Sequence, residues 1–398
     1  MHRLLLACVL AAVVASPAAA QPAPWEPERL TAGWVFTPSA VFGGIYDSNP
    51  TLRQSDNLIS GEMLALFSPR GELDFNGRRA RFNAGYSGTL EAYQDLEELT
   101  RYDQRGRLNA RYQMTPRLLF RTQNQLTLTP TTDQLDLDGL PFTRVGSQML
   151  TNLGGFTFDV SPRLVVVADY MFQWVNFDRD LTGAEDFRFL QGGHAHNPSA
   201  TVEYELSRRV KVGSLYMFRH TVVDGGEEVF DSHRAQGTVQ VMLTANTTVR
   251  GRAGVDHILV TGITQTKTGP SFGAGITQRM RQASFDASYQ REFMPSFGFG
   301  NLIASQVFRG GASVPFARGR AFVSGGVTYR RSDPVVQRDI LVELDSLWTQ
   351  ATFGYGLVRW LRMESFVSWN HQTSSARGNT ERTRVGVQFV TLKPMRIQ

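Results

Sequence analysis

Arg101–Pro130 reads RYDQRGRLNARYQMTPRLLFRTQNQLTLTP. Taken every second residue, Tyr102, Leu108, Ala110, Tyr112 and Met114 fall on one side, and Asp103, Arg105, Arg107, Asn109, Arg111 and Gln113 on the other. After Thr115-Pro116 the alternation resumes, with Leu118, Phe120, Leu126 and Leu128 opposing Arg121, Gln123, Gln125 and Thr127. Strand side chains point alternately to opposite faces, so the stretch predicts two amphipathic strands joined by a tight turn. Each runs to about a dozen residues, well beyond the usual strand and about what a tilted strand needs to cross a bilayer.

The unit recurs along the chain. Arg79–Tyr93 sets Ala80, Phe82, Ala84, Tyr86 and Leu90 against Arg81, Asn83, Ser87, Thr89 and Glu91. Leu164–Phe177 sets Val166, Ala168, Tyr170, Phe172 and Trp174 against Asp169 and Gln173. Extended from Val35–Tyr46 to Thr383–Val390, the pattern gives about 18 strands. About 16 is the alternative count, because Val35–Tyr46 and Phe189–Leu206 are irregular. Two kinds of connection alternate. Gly77-Arg78, Thr115-Pro116-Arg117, Ser161-Pro162-Arg163 and Ser207-Arg208-Arg209 are short and basic. Asp95–Glu98, Thr131–Asp138, Asp178–Asp186, Asp224–Glu228 and Ser332–Asp339 are longer and acidic.

Short turns at one end, long loops at the other and one apolar face throughout predict an all-β, transmembrane, antiparallel up-and-down barrel. The short turns would be periplasmic and the long loops extracellular. The physical ground is that lipid offers the backbone no hydrogen bonds, so a sheet within it must close on itself. A soluble sandwich would have shorter strands and no alternation of loop length. Tyr46, Phe75, Tyr93, Tyr102, Tyr112, Trp174, Phe177, Phe293, Tyr329 and Trp369 lie near strand ends and are expected in interfacial girdles.

Composition does not separate the classes by itself. A hydrophobic content of 41% and a mean hydropathy of −0.23 suit a soluble protein, and equally a barrel with one wet face. His2 and Arg3 precede the apolar run Leu4–Ala15, and Ala18-Ala19-Ala20 follows it, which predicts a signal peptide at 1–20 and an outer-membrane destination. Residues 21–33, with Pro22, Pro24 and Pro27, are expected to be a periplasmic leader. The barrel is expected at 34–391 and a periplasmic tail at 392–398. Cys8, the one cysteine, falls in the signal segment, so disulfides, thiolate chemistry and cysteine-ligated metal are excluded from the mature chain.

If the apolar face meets lipid, the other face lines a pore. The expected lining is Arg79, Arg81, Arg105, Arg107, Arg111, Arg121, Arg219, Arg250, Arg252 and Arg330, with Asp169, Asp286 and Glu364. Arg279, Arg320, Arg362 and Arg384 are read onto the same side, as are Glu72, Asp74, Glu91, Asp256 and Glu292. Guanidinium groups make paired, planar hydrogen bonds, so such a lumen favours anionic or hydroxyl-rich solutes. The competing reading, of equal weight, is that these arginines pair across strands and only hold the wall. A barrel of about 18 strands encloses an aqueous channel. No plug-sized segment is expected at the N-terminus, so the lumen is expected open, with Asp47–Ser60 the one loop considered as an inward constriction.

No G-x-S-x-G elbow, H-E-x-x-H helix or Walker-type loop is present. Catalysis, cofactors and metals are therefore not expected. His194 and His196 share a strand face but lack a third ligand. The sequence pI of about 9.5 comes from basic residues spread over lumen and turns, so nucleic acid is not an expected partner.

The opening strand with Gly43-Gly44-Ile45-Tyr46-Asp47-Ser48-Asn49-Pro50, followed by hairpins turned at Thr-Pro-Arg and Ser-Pro-Arg, resembles the beta-barrel porin 2 family of Gram-negative outer-membrane proteins. Arg384–Val390 resembles the C-terminal recognition strand of such barrels, without the usual terminal Phe. The resemblance implies a channel associated with exopolysaccharide production and export. Expected partners are the barrel-assembly machinery, outer-membrane lipid and lipopolysaccharide, a polysaccharide cargo and periplasmic export components. The leading expectation is a passive outer-membrane channel for exopolysaccharide export. The alternatives are a general diffusion porin for small, preferentially anionic solutes, and a structural or adhesive barrel.

Overall fold

The computed structural model describes residues 33–397 except 55–60, 136, 179–189, 224–228, 262–264, 281, 336–341 and 376–377. The expected signal peptide, nearly all of the leader and much of the loops after Asp178 and Val223 lie outside the described residues. In chain order the strands are β1 (Gly33–Asp47), β2 (Glu62–Asn76), β3 (Ala80–Tyr93), β4 (Arg101–Thr115), β5 (Leu118–Thr129) and β6 (Gly146–Ser161). Then come β7 (Leu164–Asp178), β8 (Gly193–Ser207), β9 (Val210–Val223), β10 (Val229–Thr244), β11 (Thr247–Thr261) and β12 (Gln265–Met280). The last are β13 (Ala283–Pro295), β14 (Leu302–Phe316), β15 (Ala321–Pro334), β16 (Leu344–Val358), β17 (Leu361–Ser374), β18 (Gly378–Leu392) and a short β19 (Met395–Ile397).

Neighbouring strands pair antiparallel throughout, and β1 pairs with both β2 and β18. The sheet is therefore closed, an 18-strand barrel without a free edge. β19 continues the ladder on β1 from Trp34↔Ile397 to Phe36↔Met395, so part of the segment expected as a tail is strand.

Three of the short turns share a device. In Thr115-Pro116-Arg117 the threonine hydroxyl accepts from the backbone N–H of Arg117 and Leu118. Ser161 does the same for Arg163 and Leu164, and Ser207 for Arg209 and Val210. A side-chain acceptor replaces the missing ladder partner, which is why Ser or Thr opens each of these three turns. The ladder slips by one residue beside each of them, at Gln113/Thr115, Asp159/Ser161 and Glu205/Ser207.

Cross-strand pairing carries one face continuously round the barrel. Tyr86, Tyr102, Phe156, Tyr170, Tyr216, Val239, Phe272, Val323, Phe353 and Val385 lie on it, all large and exposed. So continuous an apolar surface belongs in lipid, and the barrel is transmembrane. No described helix is long and apolar enough to cross a membrane, which leaves the strands to do so.

The other face is inward, and the connection from β5 to β6 proves it. Residues 130–145 leave one wall yet bond to Ser305 of β14, Arg330 of β15, Gln372 of β17 and Arg382 of β18. In a closed cylinder only a path through the lumen reaches all four. Two expectations are corrected here. The stretch Thr131–Asp138 is not an outward loop, and the lumen is not unobstructed. Apolar residues drive the difference. Leu135, Leu137, Leu140 and Val145 are buried against Met149, Val175, Phe177, Leu190, Ala195 and Phe297. This core takes Phe177 out of the expected aromatic girdle. Tyr93 is also buried, its hydroxyl donating to Asp47, and Phe293 is buried in a cluster with Val223 and Phe230.

Candidate functional site

The inward segment 130–145 is closed at its base and tied at its tip. Thr132 and Thr143 bond to each other, N–H of Thr132 to the Thr143 carbonyl at 2.9 Å and N–H of Thr143 to the Thr132 hydroxyl at 2.9 Å. Across the lumen, the Asp138 carboxylate accepts from the Ser305 hydroxyl at 2.7 Å and lies 3.4 Å from Arg330. Gln372 donates to the Leu140 carbonyl at 2.9 Å and accepts from the Phe142 N–H at 2.6 Å. Arg382 donates to Asp133 at 2.8 Å and to Asp47 at 2.6 Å, so one guanidinium joins β1, β18 and the segment. Gly139 sits at the far contact with φ +73°, where a Cβ would come within 2.3 Å of the Ser296 hydroxyl. Glycine is required there twice, by conformation and by space.

Other connections fold onto the same region. Gln191 and Gly298 exchange backbone hydrogen bonds of 2.7 Å, joining the β7–β8 and β13–β14 loops. Arg144 donates to the carbonyls of Pro50 and Leu99 and lies over the Tyr93 ring. The described part of Asp47–Ser60 thus reaches the constriction, as Pro50 and as Asn49, which donates to the carbonyls of Arg53 and Glu381. It is an accessory to the 130–145 segment.

The register places Arg81, Arg105, Arg107, Arg111, Arg121, Asp169, Arg219, Arg250, Arg252, Asp286, Arg330 and Glu364 on the inner face. Arg79 lies in the β2–β3 turn at the short-turn rim. Their electrostatics divide them. Arg107 pairs with Glu72 at 2.7 Å, Arg121 with Asp169 at 2.7 Å, Arg330 with Asp138 at 3.4 Å, Glu364 with Arg362 at 2.6 Å, and Arg105 with Asp103 at 3.4 Å. Arg250 and Arg252 donate instead to neutral amides, Gln240 and Gln290, each at 3.0 Å. Arg219 donates to Asn197. Arg81 faces Arg111 across β3–β4, Arg111 faces Arg121 across β4–β5, and neither Arg81 nor Arg111 has an acidic partner among the described residues.

Arg250 and Arg252 open onto a recess of about 580 Å³ in the short-turn half of the lumen wall, lined also by Glu203, Lys211, Gln240, Asp286 and Gln290. Gly273 shapes it. A Cβ there would lie 2.8 Å from the Arg252 Nε, so the missing side chain lets the guanidinium lie flat along the wall. Gly85 gives Arg107 the same room, and Gly155 gives it to Asp169. This is close approach, as glycines inside strands usually signify.

Sequence reasoning missed Asp47, Asp133, Asp138, Arg234 and Arg382, and also Arg70 on β2, whose Nε donates to the Ser68 hydroxyl. Arg234 holds Asp256 at 2.7 Å and also Glu292, a buried triad on β10, β11 and β13. Arg70, Arg234 and Arg382 all carry the inner parity, so alternation could have found them. Asp133 and Asp138 sit in a segment without periodicity. His194 and His196 face outward, with ring centroids 5.4 Å apart. Among the described residues no group of three or more His, Cys, Asp or Glu is arranged to hold a metal.

The fold and site define a membrane-spanning β-barrel whose lumen is crossed by one of its own connections. No protein-family profile matches the sequence, so the resemblance to the beta-barrel porin 2 family finds no match there, and no curated protein is similar to it. Solved structures of similar shape include Acinetobacter baumannii OccAB4, at 10% identity and a TM-score of 0.46, covering 94% of this chain and 100% of that one. Pseudomonas aeruginosa OccK3 (OpdO) aligns at 13% identity and a TM-score of 0.45, covering 90% and 96%. Pseudomonas aeruginosa OpdK with vanillate aligns at 10% identity and a TM-score of 0.46, covering 90% and 99%.

Proposed function

We propose that the chain is a passive outer-membrane channel for small, preferentially anionic solutes. The observation that carries the reading is the 130–145 segment tied to the far wall through Asp138, Leu140 and Asp133. It narrows the aqueous path. The polysaccharide-export expectation drew on an unobstructed lumen, and that support is gone. The preference for anions draws on the recess, where Arg250 and Arg252 are held by neutral amides and keep their charge for a solute. Arg107, Arg121 and Arg362 instead pair with acids of the wall, which supports a structural role for them.

The test is reconstitution of the purified chain in a planar bilayer under a salt gradient. A reversal potential of anionic sign, with no block by long neutral glycans, is the expected result. Absence of conductance would defeat the channel reading. Translocation of a polysaccharide in a vesicle assay would restore the export reading.

A further inference from the structure

Five of the seven histidines form one arc on the outer face of consecutive strands. His194 and His196 are on β8, His220 on β9, His233 on β10 and His257 on β11. The ladder sets His196 opposite Phe172 and His220, His220 opposite Asp231, His233 opposite Phe218 and His257, and His257 opposite Thr268. All lie within five residues of the long-loop ends of their strands. At about 3.3 Å per residue on a tilted strand, that is the depth of lipid headgroups rather than of the hydrocarbon core.

The rings are held in one way. Nδ1 of His196 bonds the Tyr170 hydroxyl at 2.5 Å, that of His233 the Tyr216 hydroxyl at 2.8 Å, and that of His257 the Thr268 hydroxyl at 2.7 Å. Nδ1 of His220 bonds the Asp231 carboxylate at 2.7 Å. Nε2 of these four rings has no hydrogen-bond partner among the described residues. In His196, His233 and His257 a hydroxyl donating into Nδ1 leaves the ring proton on Nε2. The arc thus offers a row of N–H donors to whatever surrounds the barrel. Among the described residues its acid, Asp231, is already engaged by His220. Tyr170 and Tyr216 also face the rings, and both are hydrogen-bonded to them.

We propose that this arc is a binding surface for the phosphate-bearing headgroups of outer-leaflet lipid. The proposal rests on the outer-membrane placement above and not on the cargo. Hydrogen-bond complementarity selects the occupant, since phosphate supplies acceptor oxygens to a row of donors at headgroup depth.

The full chain is placed in phosphatidylcholine nanodiscs containing lipid A, either bisphosphorylated or enzymatically dephosphorylated. Native mass spectrometry then counts lipid A retained per barrel. Retention of the phosphorylated form about tenfold above the dephosphorylated form is expected, in keeping with charge-assisted hydrogen bonds. The variant His196→Leu, His220→Leu, His233→Leu, His257→Leu, Asp231→Asn should lose that preference and keep wild-type conductance. If it fails to assemble, His233→Leu and His257→Leu singly, which leave Asp231 its partner, should each reduce the preference. Equal retention of both lipids by the wild type overturns the proposal. So does dimerisation of the wild type that the variant loses without any lipid preference, which would assign the arc to a second copy. A barrel without conductance that still prefers the phosphorylated lipid would defeat the channel reading alone.

Discussion

Replacing Arg382 by alanine tests whether the inward segment is the constriction. The Arg382 side chain is 2% exposed, Asp47 0% and Asp133 4%, so three charged groups share a site closed to water. Removing one partner of a buried ion pair costs about 3–5 kcal/mol. Asp47 keeps some compensation, with Arg384 at 3.6 Å, the Asn49 N–H at 3.1 Å and the Tyr93 hydroxyl at 3.3 Å. Asp133 keeps less, since its other carboxylate oxygen is buried without a partner. The penalty therefore falls on the docked segment, at the lower end of that range, about 3 kcal/mol. At about 1.4 kcal/mol per decade this is roughly a 100-fold shift towards release. Docking is not abolished, because Asp138 and Gln372 still hold the tip.

The expected phenotype in single-channel recording is a barrel that opens to a larger conductance with more current noise. Its backbone ladder stays intact, so heat-modifiable mobility on gels should stay as in the wild type. Asp133→Asn added to Arg382→Ala removes the stranded charge and should return part of the quiet, narrow state. A folded Arg382→Ala barrel with unchanged conductance and noise would refute the argument. It would mean that the segment does not limit the flow, whatever it touches.

Other substitutions test the remaining links. Gly139→Ala forces a side chain into a left-handed position and into the Ser296 hydroxyl, at a cost on the order of 1–2 kcal/mol, and should raise conductance and noise in the same recordings. Arg250→Gln with Arg252→Gln should move the reversal potential towards cation selectivity. It should change the unfolding free energy from urea titration by less than about 0.5 kcal/mol, because both partners are neutral amides. Val239→Arg puts a charge on the lipid face and should cost roughly 2–4 kcal/mol in vesicle refolding, whereas Thr238→Arg, one residue away on the inner face, should cost far less.

The strands were legible because lipid imposes them. A closed sheet with one apolar face leaves alternation in the sequence wherever it runs, and Arg101–Pro130 carries it almost without interruption. Parity also chose the inner face. It could not choose partners, since whether Arg121 meets Asp169 or Arg250 meets Gln240 depends on register, and register depends on closure. The 130–145 segment was illegible for a different reason: it has no period. Its trace in the sequence was an inconsistency in two places. Met149, Val175, Phe177 and Ala195 stand at inner parity, where a wet lumen has no use for them, and Leu135, Leu137 and Leu140 stand in a connection assumed to face water. Val175 and Leu190 are fully buried, so each set is what covers the other. Apolar residues at lumenal parity are a demand for cover. In a barrel too wide for side chains to meet across it, only a connection can answer that demand.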